Sequence, residues 1–102
     1  HPDVAASLDS QACLLKCQGN YADAKTLFER ATNIWEKVHG LEHPLVATGF
    51  NNRAGVLEAL GNFEEAGPLY VRAIQIGENT LGPNHPEVAT FLNNWAGLLV
   101  SQ

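Results

Sequence analysis

Basic clusters, long apolar runs and cysteine are what this 102-residue chain has little of. Six Lys and Arg stand against 11 Asp and Glu, a net charge of −5 with histidines neutral. An acidic chain without a basic stripe is a poor partner for nucleic acid or an anionic membrane. The apolar stretches are a few residues each, and a membrane-crossing helix needs about 20. The opening "HPDVAASLDS" has neither the basic n-region nor the apolar h-region of a signal peptide. The two cysteines, Cys13 and Cys17, are four apart. That is a helical spacing rather than a disulfide framework, and it points to a reducing, cytoplasmic compartment. A Walker motif, a Gly-rich phosphate loop, a Ser/His/Asp set and paired carboxylates are all missing, so no catalytic residue and no cofactor is expected. No segment alternates with period two for long enough to make a strand.

What the chain does have is repetition. "HPDVA", "HPLVA" and "HPEVA" begin at His1, His43 and His85, a step of 42 residues each time. Residues 1–42 and 43–84 agree at 15 positions, and residues 43–60 and 85–102 at 10 of 18. Chance gives about one match in twenty, so the chain is a duplicated unit and repeats set the fold. The units are 1–42, 43–84 and a partial third at 85–102.

Each unit reads as two helices. Pro2, Pro44 and Pro86 suit the first helical position, where the missing N–H has no partner to lose. His1, His43 and His85 then fall at or near the N-cap, with Asp3 and Glu87 as anions in the first turn. Helix A ends near Cys17 and Ala59, stopped by Gly19 and Gly61. Asn20 and Asn62 are expected to cap helix B, in a capping-box arrangement with Asp23 and Glu65. Apolar residues follow at Tyr21, Ala24, Leu27, Phe28, Ala31, Ile34, Trp35 and Val38, the three-and-four spacing of an amphipathic helix. Gly40 and Gly82 are the C-terminal stops. Pro68 removes an N–H to the Glu64 carbonyl, so a local bend is expected there. Ala12, Ala24 and Ala31 recur as Ala54, Ala66 and Ala73, and such alanines let antiparallel helices approach closely.

A small residue in helix A, then Gly-Asn-Tyr/Phe, then Ala, Phe/Tyr and Ala in helix B, resembles a tetratricopeptide repeat. The usual unit is about 34 residues. The 42-residue step, the linker "LGPNHPEVAT" and the "LNN" of helix A resemble the kinesin light chain type. The resemblance implies an all-α solenoid of antiparallel helix pairs, two full repeats plus the first helix of a third. It also implies a non-enzymatic protein–protein interaction module of a larger scaffold or signalling protein. The alternative is a spacer or oligomerisation segment of a larger motor-adaptor or nucleotide-binding signalling protein. The fourth place of "LNNLA" in the family holds Leu, whereas this chain has Gln11, Arg53 and Trp95. Gly77 replaces Trp35, and the third unit stops before any helix B.

Sorted by angle, helix A has an apolar arc of Ala5, Leu8, Ala12 and Leu15, extended by Val4 and Leu14 toward a second neighbour. The remaining arc is small and polar: Asp9, Ser10, Cys13 and Cys17, then Asn51, Asn52, Gly55 and Ala59, then Asn93, Asn94, Gly97 and Ser101. In a superhelix of helix pairs this arc lines the concave surface. Its amides suit an extended peptide backbone, and the resemblance makes Asn51, Asn52, Asn93 and Asn94 the leading partner-binding residues, with Asp9 and Ser10 in the equivalent places. Arg53 and Trp95 are read either as packing residues or as a position diversified for partner choice. The histidines are too far apart across units to share a metal, and Cys13 and Cys17 are read as small packing residues. The open side of helix 85–102, with Leu92, Ala96 and Leu99, is expected to support end-to-end self-association.

Overall fold

A computed structural model describes residues 2–101. Five helices follow one another: α1 (Pro2–Cys17), α2 (Tyr21–His39), α3 (Pro44–Ala59), α4 (Phe63–Leu81) and α5 (Pro86–Ser101). No strand occurs among the described residues. Each helix packs on the next, and α3 also touches α5, so the helix A elements (α1, α3, α5) form one layer and the helix B elements (α2, α4) another.

Local chemistry sets the boundaries. The chain turns out of each helix at Gly19, Gly40, Gly61 and Gly82, all with φ between 82° and 96°. An L side chain is strained there, so these four positions need glycine. At the start of α3, His43 is extended and its Nδ1 accepts the Leu45 N–H at 3.1 Å. At the start of α5, the Nδ1 of His85 accepts the Glu87 N–H at 3.1 Å. His43 and His85, each ahead of a proline, are therefore helix caps. The expectations placed on His1 and on the Asp3 side chain fall outside the described residues.

The helix B starts differ from the expected capping box. Neither Asn20 nor Asn62 makes a side-chain cap bond. Asn20 instead donates from Nδ2 to Asp23 Oδ2 at 2.9 Å. The carboxylate offers a charged acceptor three residues away, and it draws the amide off the backbone. Helix α4 continues through the exposed Pro68.

The alanine seam forms as read: Ala12, Ala24, Ala54, Ala66 and Ala73 are fully buried and Ala31 nearly so. Phe28 and Tyr70 fill the space around it, at 1% and 2% exposure. One core cluster joins Ala5, Trp35, Phe50, Ile76 and Phe91 across all five helices. Two smaller ones flank it, around Phe28 and Val56, and around Tyr70 and Leu98. Val38, read as part of the apolar stripe, is instead exposed in the last turn of α2. The α1 flank follows the duplication logic. Val4 and Leu14 are 49% and 60% exposed, whereas their equivalents Val46, Val56, Val88 and Leu98 are fully buried under a neighbouring helix B.

The two pairs of facing helices are packed by opposite means. A Cβ added at Gly77 on α4 would lie 3.1 Å from Val88 Cγ2 and 3.3 Å from Phe91 Cε2 on α5. One unit earlier the equivalents of Gly77 and Phe91 are Trp35 and Gly49. At the α4–α5 junction the bulk sits on the following helix A, as Phe91, whereas in the first unit helix B carries it, as Trp35.

Candidate functional site

The polar arcs of α3 and α5 face the same side, and side-chain hydrogen bonds tie adjacent helix A elements together. Asn52 donates from Nδ2 to Asp9 Oδ1 at 2.9 Å, and Asn94 donates from Nδ2 to Asn51 Oδ1 at 3.1 Å. Both bonds join residues 43 apart. The acceptor position of one unit thus meets the donor position of the next, one residue beyond the repeat step. Burial holds the Asp9 carboxyl above its usual range, and the bond from Asn52 works against that rise.

Below this ladder lies a hollow of about 440 Å³. Asn51, Asn52 and Asn94 line it together with Lys16, Glu58 and Tyr70. Tyr70 is held by a bond from its hydroxyl to Glu58 Oε1 at 2.8 Å. Burial, with that carboxylate, raises the phenol far above its ordinary range, so it stays protonated and donates. Gly55 leaves room for Lys16: a Cβ there would sit 3.0 Å from the ammonium nitrogen. Sequence reasoning missed Lys16, Glu58 and Tyr70 as groove residues. The only available signal for Tyr70 was a hydroxyl on an aromatic whose counterpart is Phe28.

The structure brings Asn51, Asn52 and Asn94 to one hollow, with Asp9 bonded to its rim. Asn93 and Ser10 are exposed and do not line it. Arg53 reaches Glu29 at 4.0 Å and sits 5.8 Å from the Phe50 ring centroid, lining a separate hollow with Leu57 and Pro68. Trp95 is half-buried against two core clusters. Cys13 and Cys17 are free and exposed rather than packed, because their arc meets no helix. Burial and the nearby Asp9 push the Cys13 thiol up, away from a reactive thiolate.

His39 and His43 stack, with ring centroids 4.0 Å apart and planes 14° from parallel. Stacked rings do not converge their nitrogens on one point, and His43 Nδ1 is already taken by the Leu45 N–H. Among the described residues no three His, Cys, Asp or Glu side chains group as a metal site. No described helix is long and apolar enough to cross a membrane.

Antiparallel helix pairs, stacked with the first helices in one layer and the second helices in the other, define a helical-repeat solenoid. The chain belongs to the tetratricopeptide repeat family: one family model of that description matches residues 45–102 and another residues 4–45. Its repeats are of the kinesin light chain type. The structure of BtubC (BKLC) from P. vanneervenii is similar at 28% identity and a TM-score of 0.90, over 99% of this chain. A Podosopora anserina protein assigned as a kinesin light chain, with nearly identical TPR-like repeats, is similar at 25% identity and a TM-score of 0.87, again over 99%. This chain spans 40% and 48% of those two proteins' lengths. No curated protein sequence matches it.

Proposed function

We propose that this chain binds an extended peptide or protein segment along the helix A trough, without catalysis, as an interaction module of a larger cytoplasmic scaffold or signalling protein. The observation behind this reading is the set of three asparagine amides from α3 and α5 on one hollow. Each keeps hydrogen-bonding capacity beyond its ladder bond, because an amide offers two donors and two acceptor sites. Main-chain N–H and C=O groups of an extended partner match that set without regard to sequence. The small residues Gly55 and Ala59 leave the space such a partner needs. A preformed trough loses little freedom on binding.

A library of linear peptides displayed on phage supplies the probe. Peptides selected on the wild-type chain are measured by fluorescence anisotropy against a variant with Asn51, Asn52, Asn93 and Asn94 all replaced by alanine. Binding is lost, with the helical circular dichroism spectrum kept, if the trough is the site. Unchanged binding, or a library that yields no peptide, instead favours the spacer or oligomerisation segment.

A further inference from the structure

We infer that Asp9 fixes the hydrogen-bonding polarity of the trough, holding the Asn52 amide so that its Oδ1 accepts a main-chain N–H of the bound segment. This inference rests on the peptide-binding reading above and names a positioning residue for it. The bond from Asn52 Nδ2 to Asp9 Oδ1 is 2.9 Å and part-buried. A carboxylate can only accept, so the amide nitrogen must face α1. An asparagine between neutral partners is free to exchange its oxygen and nitrogen ends. Asn51 and Asn94 are such a pair: both are amides, and either can donate.

The first rung is different because the position that holds asparagine in the second and third units holds Asp9. The charge-assisted bond is the stronger of the two kinds. With one Nδ2 hydrogen committed to Asp9, Asn52 has its Oδ1 and second N–H left for a partner in the hollow it lines. The oxygen's place is set, and so is the direction of the partner group that meets it. A segment therefore enters the trough with a main-chain donor at Asn52.

The test starts from one library-selected peptide and a series of copies, each with a single backbone nitrogen methylated. On the wild-type chain, one methylated copy is expected to bind about tenfold more weakly, the loss of one hydrogen bond of about 1.4 kcal/mol. In Asp9→Ala that penalty shrinks and the unmethylated peptide binds more weakly, while the far-UV circular dichroism spectrum stays that of the helical fold. Asp9→Asn restores part of the penalty, since its Oδ1 can still accept. A peptide that binds with the same affinity and methylation pattern to Asp9→Ala overturns the inference and leaves the groove standing. Failure to select any peptide counts against the groove itself. Independently of any peptide, NMR is expected to show one Asn52 side-chain N–H protected from exchange in the wild type and exposed in Asp9→Ala. An Asn52 amide that exchanges equally in both overturns the lock.

Discussion

Replacing Gly49 by alanine is expected to destabilise the chain, while the same change at Gly97 stabilises it. An added Cβ at Gly49 would strike Thr32 Oγ1 and lie 3.0 Å from its Cγ2 and 3.1 Å from its Cβ. Thr32 cannot readily move aside: it is fully buried, and its hydroxyl donates to the Phe28 carbonyl at 2.8 Å. Turning it away breaks that bond, and parting α2 from α3 opens the core. Overfilling of this kind costs about 1–3 kcal/mol, and the helix-propensity gain of Gly→Ala offsets about 0.5–1 kcal/mol of it. The net loss is then roughly 1–2 kcal/mol. At Gly97 a Cβ meets nothing within 4 Å, so only the propensity gain remains. The two variants should differ by about 2 kcal/mol, a separation in Tm on the order of 10 °C for a domain of this size. Thermal unfolding followed by far-UV circular dichroism measures it. Thr32→Ala removes Oγ1 and Cγ2 and leaves only its Cβ at 3.1 Å, so Gly49→Ala on that background should cost much less, a coupling of about 1–2 kcal/mol. If Gly49→Ala costs the same with and without the threonine side chain, the steric argument is wrong.

Three further outcomes are expected. His43 resists protonation in the fold, through burial and the neighbouring His39, so its pKa lies below the ordinary value of 6.5. The unfolded chain then binds the extra proton first, and stability falls as pH drops below about 6.5. Tm measured from pH 7 to 5 should decline less in His43→Asn, which keeps a capping side chain; an equal decline in both refutes the assignment. Tyr70→Phe removes the hydroxyl bonded to Glu58 and should cost about 0.5–1.5 kcal/mol in chemical denaturation, so a variant as stable as wild type contradicts that bond. On α5, Leu92 and Leu99 are 39% and 51% exposed and Val100 is 87% exposed. Light scattering should show mass rising with concentration, less so in Leu99→Lys, and a strict monomer throughout would disprove end-to-end association.

The repeat carried most of the fold on its face. Glycines at fixed offsets closed the helices, and alanines in register marked the seams, because both depend on spacing along one chain. The asparagine arc was legible for the same reason: angle around a helix is a function of residue number. The bonds within the arc were not. Asp9 meets Asn52 rather than Asn51 because neighbouring helix A elements are offset by one residue, which only their stacking sets. Arg53 was ambiguous until α2 brought Glu29 beside it. The thiols of Cys13 and Cys17 looked like packing residues by size alone, yet no helix covers that arc. Asn20 looked like a cap by its place, and a carboxylate three residues on claimed its amide.

The exchange of bulk between Trp35/Gly49 and Gly77/Phe91 bears on how such a gene can change. A recombination that fused the first helix pair to the third unit would set Trp35 against Phe91, two large rings contending for one niche. The reciprocal product would set Gly49 against Ile74, the larger equivalent of the Thr32 it now meets. Near-copies that pair promiscuously are prone to slipped or swapped assembly. Here the two junctions carry their bulk on opposite helices, which disfavours exchange between them.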